Sequence, residues 1–177
     1  MKHLVLGGTR SGKSNFAEST AVATGKKLVY IATAQALDEE MRVRIAHHQS
    51  SRIDQWITVE EPLSLAAALQ QHTAENTCIL VDCLTLWLTN ILLADAKVFQ
   101  REYAALLETL PQLTGDIIFV SNEVGMGIVA ADPLSRRFVD EAGRLHQALA
   151  KLCDKVTLVV AGLPLQLKSI SLQAEHR

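Results

Sequence analysis

Cysteine is scarce in this chain: Cys78, Cys83 and Cys153 are all there is. An odd number leaves at least one thiol unpaired, and their spacing is not that of metal ligands, so buried free thiols are expected rather than a disulfide framework. Long apolar runs are missing as well. No uninterrupted stretch approaches the roughly 18 residues of a membrane span, and the first residues lack a basic segment followed by an apolar core and a small-residue cleavage site. The reading is therefore cytoplasmic, with no membrane span. Positive charge is not in excess, since 17 Lys and Arg face 19 Asp and Glu for a net charge of −2, which argues against nucleic acid as a partner. There is no internal repeat, low-complexity tract or linker-like shift in composition. The 177 residues, 49% of them hydrophobic, read as one domain over 1–177, long enough to bury a full core without staples.

What is present begins at once. Leu4-Val5-Leu6 is an apolar strand that breaks into Gly7-Gly8-Thr9-Arg10-Ser11-Gly12-Lys13-Ser14, which fits G-x-x-x-x-G-K-[ST]. In such a loop the glycines let backbone N–H groups point inward at phosphates, Lys13 reaches the outer phosphates, and Ser14 offers its hydroxyl to Mg²⁺. A helix-compatible run from Lys13 to Ala23 follows and would place its positive N-terminal end at the anion.

Further along, short β-branched runs alternate with helical ones. Strands are expected at Lys27–Ile31, Gln55–Val59, Thr77–Val81, Asp116–Val120 and Val156–Val160, the last in the series. Helices are expected at about Asp38–Gln49, from Pro62 and Ser64 through Gln70, at Leu84–Leu93, Val98–Leu110 and Pro133–Leu152. Beyond Leu167 no strong pattern remains. This alternation predicts an α/β fold with a mainly parallel central sheet and helices on both faces, in three layers, as in P-loop (RecA-like) NTPases.

Ligands of such sheets bind outside the carboxyl ends of the strands. Those positions are the glycine-rich loop, Thr33 and Gln35, Asp82, and Asn122 with Glu123. Asp82 can hold Mg²⁺ through water beside Ser14, or serve as a helix N-cap, and the two roles are compatible. Asn122-Glu123 either satisfies its own loop or positions a second substrate. His47-His48 closes the helix that carries Arg42 and Arg44. From spacing alone the pair fits a solvated surface, whereas metal binding lacks a partner at a convincing distance. A third possibility is nucleophilic: neutral imidazole attacks phosphorus and carries the group as a phosphoramidate.

Several blocks together resemble one family. They are the glycine-rich loop, Tyr30-Ile31-Ala32-Thr33-Ala34, Asp38-Glu39-Glu40-Met41, Arg44-Ile45-Ala46-His47-His48 and Trp56-Ile57-Thr58-Val59-Glu60-Glu61-Pro62. Val81-Asp82-Cys83-Leu84-Thr85, Trp87-Leu88-Thr89-Asn90, Ser121-Asn122-Glu123-Val124-Gly125-Met126-Gly127 and Ala142-Gly143-Arg144 continue the series. In this order they look like the bifunctional adenosylcobinamide kinase / adenosylcobinamide-phosphate guanylyltransferase of cobalamin biosynthesis. The glycine-rich loop alone is shared by many families; the paired histidines and the Asn-Glu-Val-Gly-Met-Gly block are specific.

The resemblance implies phosphorylation of adenosylcobinamide with ATP or GTP. Transfer of GMP from GTP to the resulting adenosylcobinamide phosphate, through a guanylyl-histidine on His47, would follow. Lys13 would act with His47 in catalysis. Nucleotide contacts are implied for Gly7, Gly8, Thr9, Arg10, Ser11, Gly12, Lys13, Ser14, Ile31, Ala32, Thr33, His48, Gln49, Ser50, Ser51, Glu60 and Asp82, with Mg²⁺ at Ser14 and Asp82. A homo-oligomer, reported as a trimer in the family, is also implied. The chain departs from the family pattern at Ala130, where Pro is common, and at His146, where Asn is expected. Met126 and Trp87 could line a corrinoid pocket, although large apolar residues are more often core. Two further readings are a P-loop kinase of another small alcohol and a nucleotide-binding switch module; neither requires paired histidines.

Overall fold

The computed structural model describes residues 1–34 and 55–169. The expected helix at Asp38–Gln49, and with it His47, His48, Gln49, Ser50 and Ser51, lies outside the described residues, as does the end of the tail from 170 onward. The elements are β1 (Lys2–Gly7), α1 (Lys13–Val22), β2 (Lys27–Ala32), β3 (Trp56–Glu60), α2 (Leu65–His72) and β4 (Thr77–Asp82). They continue as α3 (Leu84–Ala94), α4 (Ala96–Thr109), β5 (Asp116–Asn122), α5 (Pro133–Leu152), β6 (Lys155–Val160) and β7 (Leu163–Lys168). The strands form one sheet in the order β3-β2-β4-β5-β1-β6-β7. Every pair is parallel except β6 with β7.

The inner strands are continuous apolar runs because both faces are covered. Alternate residues go opposite ways. Leu4, Leu6, Val29, Ile31, Ile79, Val81, Ile117 and Phe119 pack with Leu65 and Leu69 of α2, Leu84, Trp87 and Leu88 of α3, Leu106 of α4 and Leu145 and Leu149 of α5. Val5, Leu28, Tyr30, Cys78, Leu80, Ile118 and Val120 pack with Ala17 and Ala21 of α1. The two alanines let α1 lie close to the sheet, which brings its N-terminus over the end of β1. Trp87 is fully buried and its indole N–H donates to Leu63 O at 2.8 Å, so it belongs to the core. All three cysteines are buried free thiols, and burial pushes Cys78 and Cys83 up to about 11 and Cys153 up to about 12.

β6 is not the last strand. Ala161 (φ 51°) and Gly162 (φ 80°) both adopt the left-handed conformation of a two-residue hairpin turn, and β7 returns antiparallel along β6 as an edge strand. Pro164 is compatible with that place because an edge strand needs no second row of donors.

Candidate active site

The glycine-rich loop folds back on itself between β1 and α1. Ser11 N–H donates to Gly8 O at 3.2 Å, and Phe16 N–H to Gly12 O at 3.0 Å. Gly12 opens α1 at φ 93°, no side chain caps the helix, and no acidic residue sits in its first turn. The first N–H groups and the dipole of α1 thus face the loop uncompensated, which is the electrostatic requirement of a phosphate site. The hairpin turn braces the loop from the far side: Gly162 N–H donates to Ser11 O at 2.8 Å, and a Cβ on Gly12 would stand 3.2 Å from Gly162 Cα. Lys13 Nζ lies over the loop and donates to Gly8 O at 3.2 Å.

Asp82 ends β4, on the α1 face of the sheet by alternation with Cys78 and Leu80. It is not the N-cap of α3, since Cys83 occupies that position. Burial is the main cause of the raised Cys83 pKa; the charge of Asp82 adds to it and that of Lys13 opposes it, so both surround one thiol. Among the described residues no side chain bonds the Ser14 hydroxyl or the Asp82 carboxylate, and oxygen donors of this kind would suit a hard divalent cation.

The other predicted contacts are distributed along the same rim. The Thr33 hydroxyl is fully buried; it donates to Cys83 O at 2.7 Å and accepts from Cys83 N–H at 3.0 Å, locking the end of β2 to that of β4. Asn90 Nδ2 donates to Thr33 O at 2.8 Å and Pro62 O at 3.0 Å. Ile31 is buried in the core and Ala32 pairs with Glu60 and Asp82. Glu60 is exposed on the edge strand β3, with β2, β4 and β5 between it and the loop.

β5 stands between the strand of Asp82 and that of the glycine-rich loop, and its end carries a polar group that sequence reading missed. Ser121 Oγ lies 2.8 Å from His146 Nε2 and 3.4 Å from Thr85 Oγ1, and Thr85 Oγ1 accepts from Asn122 N–H at 2.7 Å. His146 Nδ1 faces Glu123 Oε2 at 4.0 Å. Burial lowers the His146 pKa, with Glu123 opposing, so the ring is neutral near pH 7. The available signal was a serine at the end of an otherwise apolar strand, on the face shared with Ile117 and Phe119. Met126, by contrast, is 78% exposed, not core.

This geometry coincides with a specific relationship in sequence. The family model for cobinamide kinase / cobinamide phosphate guanyltransferase (CobU) matches residues 3–167. The chain belongs to this family. A CobU-family relative from Pseudomonas aeruginosa, the bifunctional adenosylcobalamin biosynthesis protein CobP, is 56% identical over 169 residues, 95% of this chain and 98% of that protein. Proteins named bifunctional adenosylcobalamin biosynthesis protein CobU from Escherichia coli and Salmonella typhimurium are 36% and 38% identical over 182 residues, covering 95% of this chain and all of theirs. In solved structures the RadB recombinase aligns with a TM-score of 0.52 at 17% identity, over 89% of this chain and 73% of its own. A Pyrococcus horikoshii protein aligns with a TM-score of 0.52 at 11% identity, over 96% and 86%. These two likenesses are of fold alone: a mainly parallel sheet with helices on both faces.

Proposed function

We propose that this chain phosphorylates the aminopropanol hydroxyl of adenosylcobinamide and then converts the phosphate to adenosylcobinamide-GDP. In the first reaction the hydroxyl oxygen attacks the γ-phosphorus of ATP or GTP, and the bond to the β–γ bridging oxygen breaks. In the second, a His47 ring nitrogen attacks the α-phosphorus of GTP and pyrophosphate leaves. The substrate's phosphate oxygen then displaces the imidazole. The observation that carries this reading is the family match over residues 3–167, laid on a loop whose amides, lysine and helix terminus converge as phosphate binding requires.

Such transfers depend on charge neutralisation and in-line positioning more than on covalent machinery. Gly7 to Ser14 would cradle the phosphates, and Lys13 would turn from Gly8 O to the terminal ones. Ser14 and Asp82 would hold Mg²⁺, which when bound neutralises phosphate charge. His48, Gln49, Ser50, Ser51 and Glu60 are assigned to the nucleotide with His47. Ile31, Ala32 and Thr33 shape the floor, since the Thr33 hydroxyl is already engaged with Cys83. We assign both reactions to one domain, working in the cytoplasm as a homo-oligomer, with a trimer as the expected state.

The test is to incubate the protein with Mg²⁺ and GTP labelled at the α- or γ-phosphate, denature it, and follow the retained label. The expected result is α-label that is acid-labile, alkali-stable and absent in His47→Ala. A protein that retains no α-label but phosphorylates cobinamide is a kinase alone, and the transferase half of the proposal falls.

A further inference from the structure

We propose that Glu123 is the general base that takes the proton from the acceptor hydroxyl in the phosphoryl transfer, and that His146 positions it. The inference rests on the kinase reading above and names a residue for it.

Four carboxylates stand at or just past the ends of the parallel strands: Glu60, Glu61, Asp82 and Glu123. Asp82 lies on the α1 face with Ser14, where a cation belongs. Glu61 Oε1 accepts from Leu63 N–H at 2.9 Å and Ser64 N–H at 2.8 Å, which commits it to the turn before α2. Glu60 is on the far edge strand. Glu123 follows β5, the strand hydrogen-bonded to β1, and Gly7 is registered with Asn122. Its own N–H donates to Gly7 O at 3.1 Å, so its backbone is one hydrogen bond from the phosphate loop.

The carboxylate is also aimed. Oε1 accepts the Gly125 N–H, and Oε2 faces His146 Nδ1. Oε2 stands 4.0 Å from the ring, so a carboxylate on the Nδ1 side favours the tautomer that carries its proton there and turns Nε2 to the Ser121 hydroxyl at 2.8 Å. Ser121 lies beside Thr85, which receives the Asn122 N–H. The contacts Thr85–Ser121–His146 thereby tie the start of α3, just past Asp82, to the end of β5 beside the loop, with Glu123 4.0 Å beyond the ring. His146 reaches this group from α5 and sets its ring beside the Glu123 carboxylate. Immediately after Glu123 the chain exposes Met126, Ile128 (100%) and Val129 (80%), an apolar apron over which a bulky acceptor could bring its hydroxyl. In the step itself the hydroxyl proton passes to Glu123 as its oxygen bonds to the γ-phosphorus. The nucleoside diphosphate leaves with the bridging-bond electrons, and the carboxyl group returns its proton to solvent.

The full chain with Mg²⁺, ATP and cobinamide is assayed for phosphorylated cobinamide, and separately with α-labelled GTP for the protein-bound nucleotide. The second reaction has no alcohol to deprotonate and reports that each variant is folded. E123Q is expected to lower kcat of phosphorylation by about 100-fold or more, with KM values and adduct formation within about threefold of wild type. H146F is expected to lower the same kcat by about tenfold and to add nothing further in the E123Q/H146F double variant, as a residue acting through Glu123 must. Phosphorylation by E123Q within threefold of wild type, or equal loss in both reactions, overturns the base. Additive losses in the double variant overturn the role of His146. Wild-type protein that does not phosphorylate cobinamide sinks the kinase reading and this assignment with it, whereas an active wild type with an active E123Q sinks the assignment alone.

Discussion

An alanine at Gly7 would place its Cβ 2.5 Å from Ser11 Oγ and 2.6 Å from the Val159 carbonyl oxygen. The serine could rotate away, but the carbonyl belongs to a buried strand backbone, so the loop itself would have to move. Gly7→Ala is therefore expected to weaken nucleotide binding at least about tenfold, at an overpacking cost of about 1–3 kcal/mol. Calorimetric titration with nucleotide measures it, and unchanged affinity would mean that the loop tolerates the shift. Thr33 gives a different kind of prediction, because both its bonds are to the Cys83 backbone. Thr33→Val keeps the shape but strands the buried Cys83 N–H, while the Cys83 carbonyl keeps the Trp87 N–H at 3.2 Å, so the cost is about 1–3 kcal/mol. Urea unfolding should show a lower midpoint at an unchanged slope. A midpoint equal to wild type would show that water replaces the hydroxyl.

At the end of α5 the lysine of the unforeseen strand closes the helix. Lys168 Nζ donates to Ala150 O at 2.9 Å, Lys151 O at 3.3 Å and Cys153 O at 2.7 Å, satisfying carbonyls that a helix terminus leaves open. Lys168→Met is expected to lose about 1 kcal/mol, read as a lower thermal midpoint, and no change would mean that water caps the helix as well. The expected helices and strands among the described residues match the observed ones to within a few residues, and Pro133–Leu152 keeps its expected bounds, since proline is at home in the first turn of a helix. The Asp132 carboxylate does accept from Ser135 N–H at 2.8 Å. β7 escaped because its signal is only the alternation Leu163, Leu165, Leu167 after Ala161-Gly162, and its apolar residues face outward. The glycine-rich loop was legible since its chemistry is contiguous in the chain. The Thr85–Ser121–His146 group beside Glu123 was not, since α3, β5 and α5 contribute one residue each and only packing brings them together.

Two histidines buried on opposite sides of the sheet set how the folded protein responds to acid. His3 Nε2 is 2.9 Å from Thr157 Oγ1, and burial, reinforced by Lys155, lowers its pKa from 6.5 to about 4. His146 is lowered as well, through burial. As pH falls below 6.5 the unfolded chain takes up these protons first, so their contribution is complete above 6.5 and is lost with acid, for His3 as pH falls toward about 4. For His3 the loss across that window is about 2 kcal/mol once solvent screening is allowed for. Asp116 acts in a lower range. Burial works against its charge, but the Met1 ammonium at 2.7 Å and Lys26 at 2.9 Å prevail and hold its pKa below the ordinary carboxylate value. Its contribution is therefore still present above pH 4 and does not obscure the histidines. Urea midpoints measured from pH 7.5 to 4.5 should fall with acid in the wild type and less steeply in His3→Gln, which keeps a hydrogen-bonding group toward Thr157 but takes up no proton. The same slope in both proteins would mean that His3 accepts its proton in the folded state without penalty.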